Sequence, residues 1–276
     1  MDNLFNLSLN NPLRPIRELG KDKIKVFCLG IGTTWFGRLW PPQNPFYTYP
    51  DSKEISNYFD KVFSKMNDKE TKVMIDTSPA YGLSEQKIGD YFENNQELVL
   101  KSFIATKWGE EFDVAIGIST INHSKDNLIA SVKRSLSCLK KIDLLYIHRT
   151  SNEVLKNDEV IEEMRKMKNQ GYGNIHYIGA SFSNEDALQA AIKANLINNI
   201  DVIQIPASVF LKRPDLVRVI LQKDIGVVLN SPVRKGAKKP PGEIFAELTR
   251  YEETSVILTG TRNHLEETIG YFFKTK

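Results

Sequence analysis

Short apolar runs punctuate this chain at intervals, with amphipathic stretches between them. The runs fall at residues 26–32, 73–76, 103–106, 144–147, 177–180, 202–205, 227–230 and 256–259. They are continuous rather than alternating, as strands covered on both faces require. The stretches between them repeat apolar residues at helical spacing. Ile55, Tyr58, Phe59, Val62 and Phe63 form one stripe. Leu128, Val132, Leu136 and Leu139 form another behind Ser124, an N-cap; Asn184 likewise precedes Ala187, Leu188, Ala191 and Ile192. Helices end at Gly171 and before Asp224-Ile225-Gly226. Eight strands alternating with helices predict one closed (β/α)8 TIM barrel, a single domain over residues 1–276. Ahead of it, Ile16 to Leu19, a turn at Gly20-Lys21-Asp22, and Ile24 to Val26 predict a β-hairpin. Residues 38–51 predict a long loop at the barrel mouth. Its aromatics, Trp40, Phe46, Tyr47 and Tyr49, serve as a pocket wall or as packing.

Composition narrows the function. The chain has 276 residues, 41% hydrophobic and 26% charged, which suits a soluble barrel. Its net charge of +3 is spread out, which argues against nucleic-acid binding. No apolar stretch approaches ~18 residues, so neither a membrane span nor a signal peptide is expected. Cys28 and Cys138 lie in or beside apolar runs and read as reduced thiols of a cytoplasmic protein. Neither cysteine spacing suggests a metal site, and a monomer acting on a small molecule is the expectation.

Three of the runs end in ionisable residues. Asp76 closes the second run, with Tyr81 in the following Thr77-Ser78-Pro79-Ala80-Tyr81-Gly82 turn; Lys107 follows the third and His148 the fourth. In a parallel barrel these side chains meet at the C-terminal mouth, where such barrels build their sites. Singly each is commonplace; together they make a proton-donor site. A phenol has a pKa near ~10, and a neighbouring ammonium lowers it. Lys107 suits that task, with Asp76 holding it charged, while His148 can donate to a carbonyl oxygen. Such a group suits carbonyl reduction, for which a nicotinamide or flavin has to supply the hydride. Gly30-Ile31-Gly32 lacks the third glycine of a dinucleotide fingerprint and runs into Thr33-Thr34-Trp35. Phosphates are therefore expected after the last two strands, at Gly260, Thr261, Arg262 and Asn263 and in the basic loop containing Arg234.

These motifs, taken together, resemble the aldo-keto reductases. The resemblance rests on Leu29-Gly30-Ile31-Gly32-Thr33, the segment from Asp76 to Gly82 with Ser84-Glu85, Ala105-Thr106-Lys107, the segment from Asp143 to His148, and Thr259-Gly260-Thr261-Arg262-Asn263. It implies a barrel that reduces aldehydes or ketones, usually with NADPH. It also implies Tyr81 as general acid, tuned by Lys107 and Asp76, with His148 orienting the carbonyl. Gly32, Thr33, Asp76, Ser181, Gln204, Asn230 and Ser231 are implied around the nicotinamide. Arg262 is implied on the adenosine 2′-phosphate, with Glu266 or Glu267 at the adenine.

There are departures from the family pattern. Phe182 stands where many members have Asn, and Asn230 where many stack an aromatic on the nicotinamide. The stretch between the seventh and eighth strands is short, which implies looser, salt-sensitive cofactor binding. Little chain follows Phe273, which implies a substrate pocket open on one side. Trp35, Trp108 and Phe210 are its expected walls. Two other readings are a nicotinamide-binding regulatory or partner subunit with little turnover, and a lyase or isomerase with Lys107 as a Schiff-base residue.

Overall fold

The computed structural model describes residues 15–39, 48–65, 70–233, 239–251 and 254–272. Strands β1 (Ile16–Leu19) and β2 (Ile24–Phe27) form the expected antiparallel hairpin. Eight parallel strands then close a barrel: β3 (Leu29–Gly32), β4 (Val73–Asp76), β5 (Ser102–Trp108), β8 (Leu144–Ile147), β9 (Tyr177–Ser181), β10 (Val202–Pro206), β11 (Gly226–Asn230) and β12 (Val256–Thr259). An antiparallel pair, β6 (Glu110–Asp113) and β7 (Ile118–Ile121), intervenes after β5. Helices lie between the barrel strands, as the periodicity predicts. The stripe from Ile55 to Phe63 is the buried face of helix Ser52–Phe63. Ser124 caps helix Lys125–Leu139, and Asn184 caps Glu185–Lys193. Among the described residues no helix is long and apolar enough to cross a membrane. Both cysteines are free thiols. Burial pushes the Cys28 thiol up to about 11, against the nearby Arg17 charge, so it stays protonated at neutral pH.

The run at 26–32 is not the single strand expected. At Cys28 the chain changes partners: Phe27 N–H donates to Lys72 O at 2.8 Å and Cys28 N–H to Pro15 O at 2.7 Å. The hairpin stops there and the barrel begins. The β6–β7 pair also escaped the sequence reading. Glu110-Glu111-Phe112-Asp113 is too acidic to register as an apolar run.

Strand parity puts the chemistry at the mouth. One apolar cluster fills the barrel with Met74, Phe103, Ala105, Leu144, Tyr146, Val202, Val228 and Val256. Leu19 and Val26 of the hairpin join that cluster, and Leu19 lies against Gly226 at the start of β11. The alternate residues Val73, Ile75, Ile104, Leu145, Ile147, Ile203, Val227 and Ile257 belong to the outer core under the helices. Side chains alternate along a strand. Two steps beyond Met74, Ala105 and Tyr146 stand Asp76, Lys107 and His148. Two beyond Val202 and Val228 stand Gln204 and Asn230. The interior positions therefore turn polar at the C-terminal end, as one layer.

Behind this layer Glu85 is buried, accepting hydrogen bonds from Thr106 Oγ1 and, at 3.0 Å, from Ser135 Oγ. Burial pushes its carboxyl up to about 7, against those hydroxyls and the Lys107 charge. A raised folded-state pKa gives stability that is complete below the unfolded value and is lost as pH rises through about 7. Glu85→Gln removes that titration. Its stability relative to the parent is expected to rise by about 2–3 kcal/mol between pH 5 and pH 8. Urea unfolding at the two pH values measures this, and an equal difference at both would contradict it.

Candidate active site

Asp76 and Lys107 are 2% and 1% exposed. Lys107 Nζ donates to Asp76 Oδ1 at 2.6 Å and to Thr77 O at 3.0 Å. A buried ion pair needs its remaining valences filled, or desolvation outweighs attraction. Asp76 Oδ2 is filled by Gln204 Nε2 at 2.8 Å. Gln204 Oε1 in turn accepts from Ser181 Oγ at 2.9 Å and Asn230 Nδ2 at 3.3 Å. One hydrogen-bonded chain thus crosses the mouth from β5 through β4 and β10 to β9 and β11. It joins the expected acid-tuning pair to three of the residues expected at the nicotinamide. Thr33 fastens β3 to the same network, with its hydroxyl donating to Asp76 O at 2.9 Å. Phe182 is 1% exposed and belongs to the outer core, so it adds no polar group there.

Tyr81 ends a short 3-10 turn, Pro79–Tyr81, whose Ser78 hydroxyl accepts from Ala80 N–H. Gly82 follows at φ +60°, and a Cβ there would lie 2.3 Å from Gly37 O. A Cβ on Gly37 would in turn lie 2.4 Å from Tyr81 O. Only two glycines allow this backbone approach, which seats the tyrosine against helix Thr34–Gly37. Lys107 Nζ lies 5.0 Å from the Tyr81 ring centroid, and the His148 ring stands perpendicular to it at 6.3 Å. Burial pushes the Tyr81 phenol up, and Lys107 opposes this without cancelling it, so the net direction is upward. The direction is the reverse of what the Lys107 charge alone dictates, because the loss of water around the phenol outweighs that charge. For Lys107, burial alone lowers the ammonium, but Asp76 and Tyr81 outweigh it and the net shift is upward.

His148 is held on its Nδ1 side. Ser78 Oγ lies 3.4 Å from Nδ1 and Glu110 Oε2 lies 3.6 Å from it. Burial and the Lys107 charge push the imidazole down to about 3, against Glu110, so it is neutral at pH 7. Ser78 already accepts from Ala80 N–H, so its own proton is available to Nδ1. The Glu110 carboxylate on the same side can only accept, so the Nδ1 edge of the ring faces both a possible donor and an acceptor.

Glu110, which no apolar run or motif in the sequence marks, is 2% exposed beside this histidine. Arg149 holds it with Nε and with Nη2, the latter at 3.2 Å, and Arg38 Nη1 stands 3.9 Å away. Arg38 also donates to Ala80 O at 3.0 Å and lies 4.1 Å over the Phe112 ring, tying the tyrosine turn to the β6–β7 pair. Burial raises the Glu110 carboxyl, but the Arg149 guanidinium hydrogen-bonded to it carries it below the usual range. Gly109 makes the insertion possible. It turns out of β5 at φ +103°, and a Cβ would lie 2.4 Å from the His123 ring. The available signal was the acidic pair directly after Gly109, with Gly117 as its hairpin turn.

The expected pocket aromatics lie apart. Trp108 is fully buried, edge-on to His123 at 5.5 Å, and its indole N–H meets no acceptor among the described residues. Phe210 is buried against Tyr251. Trp35 packs on Phe36 and Tyr58, with the Arg262 guanidinium 5.6 Å from its ring. Arg262, Asn263 and His264 line a cavity of about 420 Å³ at the start of helix Leu265–Phe272, together with Lys61, Glu266 and Glu267. Gly260 and Thr261 precede it, and Ser231 leaves β11 in the left-handed region at φ +50°. Arg234, most of its basic loop, and Trp40, Phe46, Tyr47 and Phe273 lie outside the described residues.

Comparison with solved structures finds this barrel again. A presumed aldo-keto reductase from Pseudomonas aeruginosa is 24% identical, with 98% of this chain and 99% of that one covered and a TM-score of 0.75. The holo form of an aldo-keto reductase from Bacillus halodurans is 20% identical, covers 94% and 91%, and has a TM-score of 0.69. A Klebsiella pneumoniae aldo/keto reductase in complex with NADP and acetate is 16% identical, covers 94% and 90%, and has a TM-score of 0.67. No curated protein matches the chain. At these identities the structures speak for the fold. The sequence profile of the Aldo/keto reductase family is more specific, and it matches residues 28–242, from the first barrel strand past the last residue of the mouth network. With a parallel eight-stranded barrel, a buried Asp–Lys pair and a neighbouring Tyr and His at its mouth, the chain belongs to the aldo/keto reductase family, a family of oxidoreductases.

Proposed function

We propose that this protein is an NADPH-dependent reductase of aldehydes or ketones, with Tyr81 as general acid. The observation that carries the reading is the buried Lys107–Asp76 pair beside Tyr81 and His148. Reduction puts negative charge on the carbonyl oxygen, so donors belong at that oxygen. Tyr81 gives up the proton, and Lys107 stabilises the phenolate left behind. His148, a neutral imidazole, holds the oxygen in line. Asp76 keeps Lys107 charged, which argues against Lys107 as a Schiff-base amine.

The residues fit a nicotinamide nucleotide. Ser181, Gln204 and Asn230 offer hydroxyl and amide groups at the mouth, and the cavity beside Arg262 offers a seat for the adenosine end in which Arg262 is the group suited to a phosphate. Bound there, the nucleotide supplies the hydride. An Arg fork matches phosphate, which favours NADPH over NADH. The experiment is NADPH oxidation by the purified protein across a panel of aliphatic and aromatic aldehydes and ketones. Turnover with several of them supports the reading. Tight NADPH binding with no turnover of any carbonyl would instead favour a nucleotide-binding subunit.

Glu110 enters as a positioning residue that backs His148 and neutralises Arg149. Glu110→Gln leaves the Arg149 guanidinium beside the imidazole without its carboxylate. The expected result is a roughly 10-fold fall in kcat with nucleotide affinity unchanged, partly restored in Glu110→Asp. Equal loss of affinity in the nucleotide titration would mark a general structural role.

A further inference from the structure

Arg262 reaches across the barrel surface to Glu54. Its Nε donates to Glu54 Oε1, and its Nη2 to Glu54 Oε2 at 2.6 Å, a two-pronged pair. Its Nη1 donates to Thr48 O at 2.6 Å. The side chains are 21% and 37% exposed, so the pair is shielded without being sealed. Glu54 is not there by chance of rotamer. It sits in the first turn of helix Ser52–Phe63, and its own N–H is fixed by the Asp51 cap at 2.8 Å. Trp35 flanks the guanidinium, with its ring centroid 5.6 Å away.

The fork formed by Nε and Nη2 is the edge of an arginine that grips a carboxylate or a phosphate with two parallel hydrogen bonds. Here a carboxylate of the chain itself holds that edge, beside the cavity lined by Arg262 and His264. The cavity's lysine shows the same pattern, with Lys61 Nζ 2.6 Å from Glu266 Oε1. An anion entering this cavity thus meets cations that already have partners.

We propose that Glu54 is a specificity-determining residue, an internal competitor for Arg262 that sets how strongly the protein distinguishes 2′-phosphorylated from unphosphorylated adenosine nucleotides. This rests on the nucleotide-binding reading above and adds the residue that controls it. A 2′-phosphate reaches the Arg262 fork only by displacing Glu54, and the displaced carboxylate then repels it. A nucleotide with a free 2′-hydroxyl leaves the ion pair in place. Selectivity for the phosphate is therefore held below what Arg262 alone provides.

The test is calorimetric titration of the full chain with adenosine 2′,5′-bisphosphate, adenosine 5′-monophosphate, NADPH and NADH, for the parent, Glu54→Gln and the double variant Glu54→Gln/Arg262→Gln. Glu54→Gln is expected to tighten the bisphosphate and NADPH about 10-fold or more, with the monophosphate and NADH within 2-fold. The double variant is expected to lose that gain. Both nucleotide classes binding with an unchanged ratio in Glu54→Gln would overturn the role of Glu54 and leave the reductase reading standing. Parallel tightening of all four would also overturn it, by showing a non-selective effect. Binding of none of them to any variant would overturn both.

Discussion

Replacing Tyr81 by Phe is expected to cut carbonyl turnover about 1,000-fold while NADPH affinity stays within 2-fold. A positioned general acid contributes roughly 10²–10⁴ in rate. The ring, its packing against helix Thr34–Gly37 and the glycine contact at Gly82 all survive the change, so only the proton is lost. The sign of the pH dependence follows from the upward shift of the phenol by burial. An acid has to be protonated to act, so activity limited by this step is expected to hold through neutral pH and to fall only on the alkaline side. Single-turnover kinetics, with nucleotide binding measured separately, distinguish the two effects. Full turnover in the variant would remove Tyr81 from the mechanism.

Lys107→Met is expected to abolish measurable turnover and to destabilise the fold by about 3–5 kcal/mol, because it leaves Asp76 buried without its cation. Adding Asp76→Asn relieves the stranded charge and still offers Gln204 an amide oxygen. The double variant is therefore expected to recover most of the stability and none of the turnover. Denaturant unfolding and the carbonyl assay on the same preparations separate the two roles. If Lys107→Met unfolds like the parent, the pair is not the buried one seen here.

The barrel was legible because its strands are buried on both faces and its helices show clean stripes. Asp76, Lys107 and His148 were legible because each stands at the end of an apolar run of strand length, whereas Gln204 and Asn230 were legible only through the family resemblance. What stayed hidden depends on contacts between distant parts of the chain. Glu54 and Arg262 are 208 positions apart, and nothing local to either predicts the other. Glu110 sits on a hairpin whose acidic strand lacks the apolar signature, so the carboxylate behind His148 went unread. The Tyr81 shift was misjudged because a sequence shows which charge is near but not how much water is excluded. Trp35 and Trp108 read as candidate pocket walls because they lie on or near the mouth loops. Packing turned one towards Arg262 and the other into the core.

The hydrogen-bonded chain from Lys107 through Asp76 and Gln204 to Ser181 and Asn230 has a bearing on redesign. Gln204 grips the same carboxylate that grips the ammonium, on its other oxygen. Whatever pulls on Gln204 therefore changes how much negative charge Asp76 offers Lys107. On the reductase reading proposed above, an engineer who edits this amide to retune cofactor affinity would also adjust the proton source, without touching it. Affinity and acidity would then behave as one variable, and libraries that vary them as two should find few independent solutions.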